Sequence, residues 1–257
     1  MAMNDSMGDR MKRYEAVGDI KLTNRLPVII RLDGRSFHSW TKKAKCAKPY
    51  CKRLSDLMAD TTAYLCENIS GAVLGYCQSD EISILVLDDK THETQPWFDN
   101  RLQKMVSISA AMATYYFNAN VWDMGKENPA FFDARAFVIP REDVTNYFIW
   151  RQRDATRNSI SMLAQSLYSA IELHGKNSDN KQEMCWQKGH NWNDVPTVHK
   201  RGSLVYKQTS PAAKQNPKTG ELFYRKKFLK HSDTPIFHYG EDDVIAHIIE
   251  DYYNKNN

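Results

Sequence analysis

No apolar run in this 257-residue sequence approaches the roughly 20 residues that a membrane-spanning helix needs. Cysteine is scarce and unpaired. Cys46, Cys51, Cys66, Cys77 and Cys185 form an odd set without a CxxC, which argues against a disulfide framework and points to a reducing cytosol. Cys185 and His190 would make half of a zinc site, but a second pair at ligand spacing is missing. The segment MAMNDSMGDRMKR lacks the apolar region of a secretory signal and carries acids unusual in a transit peptide. A soluble, cytoplasmic protein is therefore expected. Also missing are GxxxxGK[ST], GxSxG and HExxH, which argues against a P-loop NTPase, a nucleophile elbow and a zincin. Internal repeats and low-complexity tracts are absent too.

The excess of basic over acidic residues is small: the net value is +4, too mild to indicate a nucleic-acid partner by itself. Its distribution says more. Between Lys200 and Lys230, nine Lys or Arg stand against the single acid Glu221, a local +8, so the rest of the chain sums to −4. Such a block fits a phosphate backbone, with a solvated basic surface as the competing reading. The length is sufficient for a substantial core and is expected to form one globular unit.

The apolar run entered through Pro27 predicts a strand over 27–33. Leu54, Leu57, Met58, Leu65 and Ile69 recur at helical spacing and predict an amphipathic helix over 52–69. AVLGYCQSDEISILVL, 72–87, holds two apolar runs around a polar turn and predicts a hairpin. A second helix is expected over 97–118 and another strand, ARAFVIP, over 134–140. Strand, helix, hairpin, helix, strand is the order of a ferredoxin-like split βαβ, an α+β arrangement that brings the first strand beside the middle hairpin. Beyond it come a helical stretch from about 142 to 174, a polar loop near 175–185, and two strand-like runs, GSLVYKQ and LFYRKKFLK. A turn at NPKTG, 216–220, would join these runs.

Two acidic stations stand out on this frame, RLDGR at 31–35 and QSDEIS at 78–83. They place Asp33 at one strand end, and Asp80 with Glu81 at a neighbouring turn. Mg²⁺ takes oxygen ligands from one or two carboxylates plus substrate phosphates. Two such ions about 4 Å apart serve in-line phosphoryl transfer. Gly34 lets the backbone approach a phosphate or offer its carbonyl to a metal. Arg31 and Arg35 flank the first acid. Arg101 and Lys104, three residues apart, share a helix face expected to point along the sheet toward the acids. Lys42, Lys43, Lys45 and Lys48 occupy the loop after the first strand, and Phe37, His38 and Trp40 are candidates for stacking on a base. The residues alone thus indicate a metal-dependent nucleotidyl or phosphoryl transferase on a palm-like sheet, without saying which.

RLDGRSFHSW, AKPY, GYCQSDEISILV, FDARAF, YFIWRQRDATRNS and WNDVPTVHKRGSLVYKQ occur in that order, and together they resemble the tRNA-His guanylyltransferase family of 3′-to-5′ polymerases over about residues 10–208. The resemblance implies a polymerase-like palm over 1–140, with a fingers-like helical and basic-hairpin region, 141–257, packed on it. It also implies two Mg²⁺ ions, ATP or GTP and other NTPs as substrates, tRNA as partner and a tetrameric homo-oligomer. Asp33 and Asp80 are then the metal-binding carboxylates, Gly34 the carbonyl ligand, and Glu81 completes the second acidic motif. Arg31, Phe37, His38, Lys48, Ser79, Arg101 and Lys104 become nucleotide contacts, while Arg135, Arg151, Gln152 and Asn158 hold the tRNA end or a second nucleotide. Lys200, Arg201, Lys207, Arg225, Lys226 and Lys227 supply phosphate contacts from the basic block.

One departure bears on subtype. Where guanylate-adding members carry HINNLYN after WRQ, this chain reads TRNSISM at 156–162, with Thr156 at the His position. The expectation is therefore templated repair of 5′-truncated tRNA. Untemplated guanylate addition to tRNA-His, a palm-fold nucleotidyl cyclase and a non-catalytic RNA-binding protein are the alternatives. The basic block argues against a cyclase, and the intact acids argue against lost catalysis. The tail HSDTPIFHYGEDDVIAHIIE suggests no role.

Overall fold

The computed structural model describes residues 6–215, 220 and 222–254. Among them are strands β1 (Val28–Gly34), β2 (Ala72–Gln78), β3 (Glu81–Val86), β4 (Phe132–Val138), β5 (Ser203–Gln215) and β6 (Leu222–His231). The helices are α1 (Met7–Ala16), α2 (Phe37–Lys43), α3 (Lys52–Asn68), α4 (Leu102–Asn120), α5 (Asp123–Lys126), α6 (Val144–Leu167), α7 (Ser178–Gln187), α8 (Thr197–Arg201) and α9 (Val244–Asn254). All six strands form one antiparallel sheet in the order β4-β1-β3-β2-β5-β6. Its first four members follow the split βαβ order, as the sequence predicts. The fold is α+β and palm-like.

Alternate side chains of a strand go to opposite faces, and here both faces are covered. Val28, Ile30 and Leu32 join Ile82, Ile84 and Val86 in one core against α3 and α4. Ile29 joins Leu74, Tyr76, Leu85 and Leu204 in a second core, with Tyr147 and Phe148 of α6 and Ile245 and Ile248 of α9. Double burial explains why PVII is a continuous apolar run. Arg31 and Asp33 lie on the α6 side, where they interrupt the apolar alternation.

The tail after β6 is a strap across this second core. Thr234 donates to the Gly202 carbonyl, the Phe237 ring packs edge-on against Tyr76 at 5.5 Å, and buried Asp243 accepts from the amides of His238 and Ile245. β5 pairs with β2 only as far as Tyr206, so the rest of the β5–β6 hairpin is a two-stranded arm beyond the sheet.

Several boundaries differ from expectation. The helix expected from 97 begins at Leu102, because Phe98, Asp99 and Asn100 all adopt left-handed backbone with φ of 52°, 55° and 53°. The stretch expected to stay helical to 174 ends at Leu167, where Tyr168 turns extended. The polar segment 175–185 contains most of α7, whose first turn is capped by the Asn177 side chain accepting from Asn180 N–H. A short helix, α2, replaces the loop after β1. The turn expected at 216–220 lies outside the described residues except for Gly220. Among the described residues, no helix is long and apolar enough to cross a membrane.

Candidate active site

The two acidic stations meet at the end of β1. Gly34 N–H donates to the carbonyl of Asp80 at 3.0 Å, which ties the β1 terminus to the β2–β3 turn. That turn is the pair Ser79–Asp80. Ser79 takes a left-handed φ of 51°, and its hydroxyl donates to Asp80 Oδ1 at 2.9 Å. The ladder sets Asp33 directly opposite Glu81 on β3 and opposite Asp133 on β4. Opposed side chains stand about 5 Å apart on one face, so Asp133 joins the cluster. The sequence reading passed over this third strand's acid, although FDAR carries it at the strand start. Gly34 is required by space: a Cβ there would come within 2.3 Å of the Phe37 ring.

Gathering these groups has an electrostatic cost. Burial holds the Asp80 carboxyl above the ordinary range, and the neighbouring Asp33 charge adds to this. Asp33 is raised by burial and then by Asp133, against the opposing pull of Arg31 and Arg135. Glu81 is raised by burial, and the Arg151 and Arg31 guanidiniums partly offset it. Among the described residues no group of three or more His, Cys, Asp or Glu is placed to hold a metal ion. An open station of crowded carboxylates beside a backbone carbonyl fits a hard cation that completes its shell with phosphate oxygens and water. Asp33, Asp80 and the Gly34 carbonyl are the groups available to Mg²⁺.

Other predicted site residues fall into separate places. Arg31 faces Arg135 across the β1–β4 ladder, and Arg135 lies 3.9 Å from Asp133. This is a cationic border on the acid-bearing face. Arg35 is exposed beside it. His38 and Lys48 line a cavity of about 210 Å³ between α2, the 46–51 loop and α6. Ser79 and Asn158 line an adjoining pocket with Tyr50 and His199, whose rings stack at 5.0 Å. Lys200 and Arg201 border a groove along α6, whereas Lys207, Arg225, Lys226 and Lys227 are on the β5–β6 arm.

Four assignments do not match the side chains' surroundings. Phe37 is 3% exposed and packed among Trp40, Phe117 and Phe132, so its ring is core and cannot stack on a base. Trp40 is likewise buried, its indole N–H donating to the Asn128 carbonyl. Arg151 is buried, with its Nε 3.2 Å from Glu81 and its guanidinium hydrogen-bonded to Asp154, which directs it to the acid cluster rather than to RNA. Gln152 is buried too, its amide donating to the Pro235 carbonyl and accepting from Phe237 N–H, so it fastens the strap. Arg101 and Lys104 are also displaced. α4 lays Phe117, near its C-terminus, against Phe37, while Asn100 at its other end bonds Asp88, beyond the far end of β3. Arg101 precedes the helix and pairs with Asp19 at 3.5 Å, and Lys104 sits over the Phe98 ring. The pair therefore lies at the opposite end of the sheet from Asp33.

Comparison with known proteins is consistent with this geometry. The family profile described as tRNAHis guanylyltransferase matches residues 8–140. A probable tRNA(His) guanylyltransferase of Dictyostelium discoideum is 28% identical over 254 residues, covering 90% of this chain and 93% of that protein. A bacterial tRNA(His) guanylyltransferase-like protein solved in complex with ATP is 44% identical, with a TM-score of 0.78 over 90% of this chain and 94% of the other. The same type of protein solved with GTP gives 44% identity and a TM-score of 0.76 over the same shares.

Proposed function

This chain belongs to the tRNAHis guanylyltransferase family and is a nucleotidyltransferase; from that premise we propose that it performs templated 3′-to-5′ addition, restoring 5′-truncated tRNA. Nucleotide addition to the tRNA 5′ end is the family's activity. The templated form rests on position 156, where Thr replaces the His of the guanylate-adding pattern. Thr156 lies on α6 with its hydroxyl donating to the Lys200 carbonyl at 3.3 Å, so it offers no imidazole to a guanine. Selectivity then comes from Watson–Crick pairing with the opposite strand, and any NTP that pairs is accepted.

In this reading the tRNA 5′-monophosphate first attacks the α-phosphorus of ATP or GTP and releases pyrophosphate, and the 3′-hydroxyl of the incoming NTP then attacks the activated 5′-phosphorus, expelling AMP or GMP. Asp33, Asp80 and the Gly34 carbonyl would hold Mg²⁺, which when bound supplies charge neutralisation and alignment of attacking and leaving oxygens. Arg31 and Arg135 border the same face and offer forked donors to phosphate oxygens. Arg151, with its Nε 3.2 Å from Glu81, offsets part of the burial that pushes the Glu81 carboxyl up and helps hold it in place. The Ser79–Asn158 pocket includes the turn residue Ser79, and the His38–Lys48 cavity adjoins that pocket through Cys51, Leu54 and Met162; together they are the space we assign to nucleotides. The ATP and GTP complexes of the 44%-identical bacterial protein support nucleotide binding here. The family resemblance also supports tetrameric assembly, which sedimentation would test.

The direct test incubates the protein with a 5′-phosphorylated tRNA lacking its first nucleotide, labelled NTPs and Mg²⁺. Extension is expected, and it should vanish in Asp33→Ala and Asp80→Ala proteins that still fold. Unextended RNA with cyclised nucleotide, or near-wild-type turnover in either variant, would overturn the proposal.

A further inference from the structure

A cavity of about 1220 Å³ lies away from the acid cluster, in a groove along α6 walled by α8 and the 231–243 strap. Its lining joins exposed aromatic rings with cationic side chains. Trp150 is 50% exposed and Tyr239 is 76% exposed, so two large aromatic faces meet solvent. Arg153, Arg157, Lys200 and Arg201 line it as well, and no carboxylate is among the described lining residues. Acids border the lining without belonging to it: Asp154 is bound by Arg151 and Arg157, Asp143 accepts from Asn146, and Asp242 stands 3.8 Å from His238. Arg201 Nε is buried without a hydrogen-bond partner among the described residues.

Cations that follow a backbone, interleaved with aromatic faces, are the pattern of single-stranded nucleic-acid sites, where bases stack without sequence readout. Duplex would leave the aromatic faces unused. One lining residue also reaches toward the acid cluster. Trp150 packs under the Arg151 guanidinium at 4.0 Å and lies 5.9 Å from that of Arg31. Those two arginines contact or border the Asp33–Glu81 cluster. Any enzyme that extends the 5′ end of an acceptor stem against a template faces one geometric fact: the opposite strand continues past the reacting position as an unpaired 3′ tail. That tail must leave the site where the last base pair sits.

We propose that this groove is the binding track for the unpaired 3′ tail of the tRNA, with Trp150 and Tyr239 stacking on its bases and Arg153, Arg157, Lys200 and Arg201 following its phosphates. The inference rests on the templated-addition reading, and it adds a binding site to it. Its consequence is that the tail anchors the templating strand, so that the protein senses the 3′ overhang independently of the paired stem.

The test uses the full chain and two stem-loop RNAs with identical 5′-truncated stems, one carrying an unpaired 3′ tail and one ending flush at the templating base. Binding is measured by fluorescence anisotropy at fixed salt, with extension followed in parallel. Wild type should bind the tailed RNA about tenfold more tightly than the flush RNA, the scale of one stacked base. The exposed-site variants Tyr239→Ala and Arg153→Gln, combined, should erase that preference while binding to the flush RNA stays unchanged. Equal weakening on both RNAs would assign the groove to paired backbone, and an intact preference would assign it no RNA role; either result overturns the inference. Because the readout is binding, tail preference without extension would sink the templated-addition reading alone. Extension with the preference intact in the double variant would sink the groove assignment alone.

Discussion

Gly34→Ala is the substitution whose effect the structure fixes most closely. The added Cβ would stand 2.3, 2.5 and 2.7 Å from three carbons of the Phe37 ring, far inside any tolerated contact, so the ring must move. It has nowhere to go. Phe37 is 3% exposed, with the rings of Trp40, Phe132 and Phe117 at 5.1, 5.2 and 5.5 Å. Forcing extra volume into a close-packed core costs about 1–3 kcal/mol, which for a chain of this size lowers the melting temperature by roughly 2–10 °C. The displacement also reaches the acids, because Phe37 opens α2 just after Asp33 and Gly34 N–H bonds the Asp80 carbonyl. Extension should therefore fall more than the loss of folded protein explains, at temperatures where the variant is still native. Urea melts and single-turnover extension measure the two effects. In Gly34→Ala/Phe37→Leu the branched chain leaves room for the methyl group, so the two costs should fail to add by about 1 kcal/mol. A Gly34→Ala protein that melts within about 1 °C of wild type, or strictly additive costs, would refute the packing account of this glycine.

Asp80→Asn should abolish extension and yet stabilise the metal-free protein at neutral pH. The folded carboxyl titrates above its ordinary value through burial and the Asp33 charge, so the stability it contributes is present below the unfolded pKa and is lost as pH rises through the folded one. Calorimetry should show the variant's advantage to be larger at about pH 7 than near pH 4; a constant or reversed difference would contradict it. Gln152→Leu leaves the Pro235 carbonyl and Phe237 amide without their partner, at a cost of about 2–5 kcal/mol. Hydrogen exchange should quicken first at Phe237 and along the strap, and unaltered exchange there would deny Gln152 its fastening role. Neutralising Lys207, Lys226 and Lys227 on the arm should weaken tRNA binding and flatten its salt dependence by about one unit of slope per lost contact. An unchanged slope returns the arm to a solvated surface.

The sheet and the acid cluster were legible because strands buried on both faces leave unbroken apolar runs. The order strand, helix, hairpin, helix, strand also admits few topologies that put 33 away from 80. The side chains around that frame were harder to read. Three-residue spacing shows that Arg101 and Lys104 share a face but not at which end of the sheet they stand, and left-handed backbone at 98–100 moved Arg101 off the helix. Phe37 and Trp40 looked like stacking residues in a loop, yet their own three-residue spacing is that of a helix burying one face, with His38 left outside. Gln152 belongs to the same α6 stripe as Phe148, Ala155 and Ser159, all buried, and that periodicity was the available signal against an RNA contact. Asp133 could be placed only by cross-strand register. The strap gave no pattern at all, since its hold depends on a glutamine 83 residues away from Pro235.

The central claim is that the opposite strand, rather than the protein, chooses the nucleotide. It is tested most directly with a set of tRNAs lacking the first 5′ nucleotide, in which the opposing base is varied through A, C, G and U, alongside a full-length tRNA-His with adenine opposite the added position. All four NTPs are supplied and the added nucleotide is identified. The account predicts that each truncated tRNA receives the complement of its opposing base and that the full-length tRNA-His is extended poorly. Efficient guanylate addition whatever the opposing base would contradict it, and would assign this chain to tRNA-His maturation despite Thr156.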